Sequence, residues 1–323
     1  MSAATNYEFK TFNTAFFAQE LNAGRNGYDN YKFNNENLQL LGAEIVNNNL
    51  IGKLGIDLTI ADTNSISITF IKNMMQNFSE KDTLGAGTFQ APKLAKITAD
   101  WNKPLSASIG FYKADLDRGL PDVLSEKVNW LIQQFARETE KEAWRQLEKH
   151  LEANTSQITE TVDLVAENDK NKVYEKVVSL ATKLTQLENE ADAIYGIPKD
   201  KIVIFVKPAI ADKLAQLGIV GNAAEKYYAG GQYSMATVAG YSVCANPYLD
   251  KFDVVVGTTF TAASAIRTIA LNYERLVPSN DSGLYFEAQN IFKIINPSAL
   301  LAIKTSKPLN LKNSGIITTP LKA

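Results

Sequence analysis

Between Asp122 and Leu151 the chain contains neither Gly nor Pro, and "LIQQFARETEKEAWRQLEKH" (131–150) is helix-forming throughout. As one α-helix this stretch would rise roughly 45 Å. A compact globule of the same chain length is only about 50 Å across. Leu120, Pro121 and Asp122 form the expected start, with Asp122 as N-cap and Glu126 near the positive end of the helix dipole. Leu124, Val128, Leu131, Ile132 and Phe135 form one apolar stripe, which drifts through Ala136, Ala143 and Leu147 to Leu151, about half a turn around. Trp130 and Trp144 project from a side opposite the first stripe, and apolar residues on two sides predict contact on two sides. Core packing within the chain and contact with neighbouring material are both open for them. Glu138–Lys141 and Glu142–Arg145 give i,i+3 support on what reads as a solvated charged face.

Ahead of the helix, residues 1–50 are polar and rich in Asn, as in "NAGRNGYDNYKFNNENLQLLGAEIVNNNL". Asn and Gly favour turns over regular elements. The segment nonetheless carries Phe12, Phe16, Phe17, Tyr28, Tyr31 and Phe33, which suggests an arm ordered against another surface, a disordered leader being the alternative. "SISITFI" alternates, with Ile66, Ile68 and Phe70 on one face, and "AKITADWNKPLSASIGF" returns as extended chain after a polar Gly/Pro-containing loop. Together they read as a hairpin too long to fold back fully on its own domain.

After the helix, "VYEKVVSLATKLTQL" (173–187) is amphipathic. A strand follows at Ile202–Val206, then a helix with Pro208 at N1 and Gly218 at its end. "NAAEKYYAGGQYSMATVAG" is a loop leading to the strand "YSVCA", and the remaining apolar runs read as strands.

The parts needed for chemistry are scarce. His150 is the only histidine and sits at the charged end of the long helix, where it reads as solvent-facing. Cys244, the only cysteine, reads as a buried structural thiol, which rules out an intramolecular disulfide and fits a reducing compartment. "AGGQYSM" lacks the residues of a phosphate-binding loop, and "GNAAEKYYAGG" lacks dinucleotide-type glycine spacing. Glu138/Glu142 reads as an exposed pair rather than an acid–base dyad. No catalytic residue, cofactor or metal is expected. The net charge of −2 argues against an electrostatic nucleic-acid binder. No apolar run approaches the ~20 residues that span a bilayer, and the N-terminus has no signal-peptide pattern.

The order of these pieces resembles the tailed-bacteriophage major capsid protein family, with its Hong-Kong-97-type α+β fold. "KLAKITADWNKPLSASIGFYKADLDRG" running into "LPDVLSEKVNWLIQQFARETEKEAWRQL" is similar to the return strand of the family's extended loop entering its spine helix. "KIVIFVKPAIADKLAQL", "ATVAGYSVCANPYL" and "LYFEAQNIFKIINPSALLAIK" resemble the axial strand and helix, a small strand and turn, and the closing strands. The likeness covers most of residues 55–305.

The resemblance implies an N-terminal arm (1–54), an extended β-hairpin loop with flanking strands (55–118) and a peripheral domain with the spine helix (119–172). An axial domain (173–275) follows, then closing peripheral strands and a C-terminal tail (276–323). It implies homo-oligomeric hexamers and pentamers in a virion shell, assembled in the bacterial cytoplasm. The shell would enclose double-stranded DNA without sequence-specific binding, with a portal and separate scaffolding or decoration proteins as partners and no membrane. Phe16, Phe17, Tyr28, Tyr31, Lys72, Lys81, Lys93, Trp130 and Trp144 are the candidate intersubunit contacts. Some family members carry a helical scaffolding segment ahead of the arm; here about 50 mostly non-helical residues precede the core, so a separate scaffold or none is expected, and no Lys–Asn–acid triplet for a covalent crosslink is assigned. An encapsulin-type compartment holding an enzyme cargo is the second reading. A two-domain α/β enzyme or ligand-binding protein using the 221–234 loop is the third.

Overall fold

The computed structural model describes residues 30–32, 49–59, 66–73, 94–111, 120–189, 192, 194–217, 236–275 and 282–307. Five short strands come first: β1 (Asn30–Lys32), β2 (Gly55–Thr59), β3 (Ser67–Asn73), β4 (Leu94–Asp100) and β5 (Leu105–Phe111). The long helix α1 (Leu120–Ala153) leads to β6 (Ile158–Thr161), α2 (Lys170–Thr185), β7 (Glu188–Asn189), β8 (Ile194–Tyr195), β9 (Ile202–Val206) and α3 (Pro208–Gln216). The last strands are β10 (Ala236–Val238), β11 (Tyr241–Ala245), β12 (Phe252–Thr258), β13 (Ala262–Arg275), β14 (Ser282–Ile294) and β15 (Leu301–Lys304).

α1 runs for 34 residues, roughly 51 Å at the normal rise. It starts at Leu120, so Asp122 lies inside its first turn and is not the N-cap the sequence suggested. The side chains of Leu124, Glu126 and Val128 lie outside the described residues. No described helix is long and apolar enough to cross a membrane.

Six strands form one sheet in the order β10-β11-β9-β12-β15-β6. β9, Ile-Val-Ile-Phe-Val, is buried at every position because both faces of this sheet are covered. Ile202, Ile204 and Val206 face α2 and α3, meeting Val177, Leu180, Leu184, Ile210 and Leu214. Val203 and Phe205 face the other way, into a cluster with Trp144, Leu147 and Leu151 of α1. Asp169 caps α2 by accepting from Asn171 N at 3.0 Å, and Pro208 opens α3 as its sequence predicts. The strands at Ile202–Val206 and Tyr241–Ala245 also fall where the sequence places them.

A second sheet is built on the β13–β14 ribbon, antiparallel from Ala262↔Ile294 to Arg275↔Ser282. β5 pairs with the outer side of β14. Along the outer side of β13, β1 pairs antiparallel at Asn272–Glu274 and β2 pairs parallel at Ala262–Ile266. Gly55 makes the second pairing feasible: a Cβ there would lie 1.5 Å from the Ala262 carbonyl oxygen. One face of this sheet receives the first half of α1, where Phe135 meets Phe286 edge-on at a centroid distance of 5.4 Å.

The opposite face is covered by the hairpin β3–β4, antiparallel from Ser67↔Asp100 to Asn73↔Leu94. Its Phe70 and Ala99 pack on Ala263, Ala265 and Ile291. The base of the hairpin is therefore seated on its own sheet, where apolar alternation turns Phe70 and Ala99 inward. Residues 74–93, which join the two strands, lie outside the described residues.

One ion pair is sunk in the core. Lys207, just before α3, donates from Nζ to Asp253 Oδ1 at 2.9 Å and to the Asp250 carbonyl at 3.0 Å, while Asp253 Oδ2 accepts from Leu164 N at 2.7 Å. Both side chains are almost wholly buried. Asp253→Ala strands the ammonium and the Leu164 amide, so chemical denaturation should show a loss of about 3–5 kcal/mol. A loss under 1 kcal/mol would remove this network from the account of the core.

Candidate functional site

The described residues hold no group of three or more His, Cys, Asp or Glu arranged for a metal. Cys244 is buried on β11, with Lys53 Nζ 3.5 Å from its sulfur. Burial pushes its thiol upward, against the opposing pull of Lys53. His150 is half-buried rather than solvent-facing; burial and then the Lys293 ammonium lower its affinity for a proton. Glu142 pairs with Arg145 at 3.0 Å on an exposed stretch of α1, as its spacing predicts.

The long helix separates the two candidate tryptophans. At 3.6 residues per turn they lie only ~40° apart around the axis. The buried stripe moves from Leu131, Ile132 and Phe135 round to Ala143, Trp144, Leu147 and Leu151 as the helix passes from one sheet to the other. Its rotation takes in Trp144, which is 0% exposed and packs edge-on against Phe205 at 4.8 Å. Trp144 is thus core, and its place among the intersubunit candidates is withdrawn. Trp130 stays outside the stripe and is 51% exposed.

Two carboxylates lie within the stripe, where the sequence reading placed only solvated charges. Glu140 Oε1 accepts from Leu50 N at 2.7 Å, Ile51 N at 3.3 Å and Trp144 Nε1 at 3.3 Å. Burial raises its pKa to about 7, although the Trp144, Leu50 and Ile51 donors and the Lys53 charge all pull it down. Glu148 Oε1 accepts from Asp250 N at 2.9 Å and Lys251 N at 3.0 Å. Burial raises its pKa too, again against those donors. Each carboxyl group satisfies amides of a segment about ninety or a hundred positions away, so the helix fixes both segments with buried side-chain acceptors.

The other candidates divide three ways. Lys72 on β3 forms an ion pair with Asp192, which also accepts from Ser298. Its ammonium is engaged within this chain, and its role as a cation reaching over a neighbour is corrected. Tyr31 lies in β1, whose backbone pairs with β13 opposite Tyr273, so the arm at that point joins its own sheet. Phe16, Phe17, Tyr28, Lys81 and Lys93 lie outside the described residues, as does the 221–234 loop.

The structure adds apolar side chains that the sequence reading did not single out. Ile71 is 63% exposed on the outer face of the hairpin, and Leu94 is exposed on the same face. On β2, Ile56 is 62% exposed and Leu58 is exposed beside it. Their register partners, Ala263 and Ala265, are the residues the hairpin covers, so Ile56 and Leu58 continue that face beyond its cover. Of Ile66, Ile68 and Phe70, which the sequence places on one face, Phe70 is buried while Ile66, at the hairpin's start, is 88% exposed. The signal for Ile71 was available: in "SISITFI" it breaks phase and falls on the polar side.

Comparison with known proteins returned structural likeness alone. No family model matches the sequence, and no curated protein matches it. Among solved structures, the capsid of the cyanophage P-SCSP1u aligns with a TM-score of 0.53 and 13% identity, over 80% of this chain and 88% of that one. The structure from Mycobacterium phage Bobi aligns at 0.50 and 9% identity, over 80% and 90% of the two chains. A virus-like particle from Pyrococcus furiosus aligns at 0.47 and 13% identity, over 83% and 98%. The chain has the Hong-Kong-97-type fold of the tailed-phage capsid structures.

The two tryptophans give a paired test. Trp144→Ala should lower the unfolding free energy by about 3–5 kcal/mol through the cavity it opens. Trp130→Ala should leave protomer stability within about 0.5 kcal/mol. Equal losses in denaturant melts would contradict the rotation of the buried stripe.

Proposed function

We propose that this chain is a major capsid protein, the subunit of an icosahedral shell whose hexamers and pentamers enclose packaged double-stranded DNA. The observation that carries this reading is the fold likeness to the cyanophage capsid over 80% of the chain. The exposed apolar positions Ile71 and Leu94 on the hairpin and Ile56 and Leu58 on β2 support it. Burying such a side chain against a second copy contributes roughly 1–2 kcal/mol, part of the ~1.5–3 expected for full burial. Many modest contacts repeated around a closed shell add up to a stable whole. Trp130, with Phe16, Phe17, Tyr28, Lys81 and Lys93, completes the proposed set of intersubunit contacts.

The subunit makes and breaks no bonds in this reading. Its work is assembly in the host cytoplasm, followed by expansion as DNA enters, with portal, scaffolding and decoration proteins as partners. A net charge of −2 suits a wall that must not adhere to densely packed polyanion.

Sedimentation of the full chain, with any scaffold supplied, is the test. Closed particles are expected at high concentration, and a persistent monomer would overturn the proposal. Ile71→Glu should reduce particle yield at least tenfold while leaving the protomer's melting temperature unchanged. Particles purified with a protein guest in place of DNA would assign the chain to an encapsulin-type compartment. Ligand-dependent stabilisation of a lone monomer would favour the two-domain enzyme or binding protein.

A further inference from the structure

Glu140 sits where the chain enters the core. The 3-10 turn at Ile51–Leu54 begins there, preceded by Leu50, and Leu50, Ile51 and Leu54 are all buried against α1 and the six-stranded sheet. Among the described hydrogen bonds from this turn to α1, those of the Leu50 and Ile51 amides both end on the same carboxylate oxygen. Lys53 of the turn is the charged group facing that carboxylate, and its Nζ also reaches Cys244 on β11. Trp144, one turn further along α1, supplies the third donor.

We propose that Glu140 is a proton-operated clasp: the neutral acid holds the Leu50–Leu54 turn firmly against α1, and ionisation loosens it. The physical basis is solvation. While the turn is docked, the carboxyl group is buried; when the turn lifts, the group returns to water and to an ordinary carboxylate affinity for protons. The docked form therefore holds its proton more tightly than the lifted form does. Docking is strongest below about pH 4.5 and weakens as pH rises to about 7, above which both forms are ionised and the dependence ends. The clasp sets how firmly the Leu50–Leu54 turn, which leads into β2, is held to α1. The inference does not depend on what the assembled protein encloses.

Hydrogen exchange of the Leu50, Ile51 and Leu54 amides, corrected for intrinsic base catalysis, tests it on the full chain. Protection should fall on the order of a hundredfold between pH 5 and pH 7.5 and then level off. Glu140→Gln, which cannot ionise, should abolish that slope. The amides of Asp250 and Lys251 report the Glu148 carboxyl separately and should keep their own pH dependence in this variant. Should Glu140→Gln fail to fold, Trp144→Phe provides a second readout: losing the indole donor should move the midpoint to higher pH. A flat wild-type profile, a slope that persists in Glu140→Gln, or an unmoved midpoint in Trp144→Phe overturns the clasp.

Discussion

Everything in this molecule is referred to the burial of one rotating stripe. α1 buries Leu131, Ile132 and Phe135 in its first half, Phe135 against Phe286 of the β13–β14 ribbon, then Ala143, Trp144, Leu147 and Leu151 against the six-stranded sheet. The rod is buried by both sheets, and Ala262 and Phe292 of the ribbon join its second half in one cluster with Val203, Phe205 and Val255 of the six-stranded sheet. An unbroken helix can do this only if its apolar surface turns as it travels, and the side-chain sequence supplies that turn.

Rigidity along the rod is complemented by acceptors within it. Buried carboxylates are costly unless they meet donors, and here they meet backbone amides that would otherwise be unsatisfied. Glu140 serves the turn at Leu50 and Glu148 serves the turn at Asp250, so two remote segments are located by hydrogen bonds and not by apolar contact alone. Apolar packing tolerates sliding, whereas an amide aimed at a single oxygen does not. The Lys207–Asp253 pair adds a similar fixed point on the far side of the sheet.

How much of this was legible in the sequence depended on whether the signal was local. β9 and β11 could be read because an apolar run stood between turn-forming residues, and α3 because Pro208 announces it. The hairpin strands followed from alternation, although their docking on Ala263 and Ala265 did not. Trp130 and Trp144 looked equivalent because a helical period places them on the same side; only the second surface distinguishes them. Glu140 and Glu148 were invisible for a related reason. A glutamate in a helix reads as solvated until the amide that needs it is located, and those amides lie about a hundred residues away. β1 was hidden in an Asn-rich segment with weak strand propensity, and its place comes from pairing with β13.

The six-stranded sheet carries a consequence for timing. β15, from the last described stretch of the chain, lies between β12 and β6, and it pairs in parallel with β6, which was synthesised far earlier. Such long-range closure is slow and entropically demanding. A growing polypeptide on the ribosome therefore lacks the rung that joins β6 to β12 until the strand at Leu301–Lys304 has emerged. Until then β6 has no neighbour in this sheet and one edge of β12 stays open, so the sheet closes only when a late strand meets one made long before it.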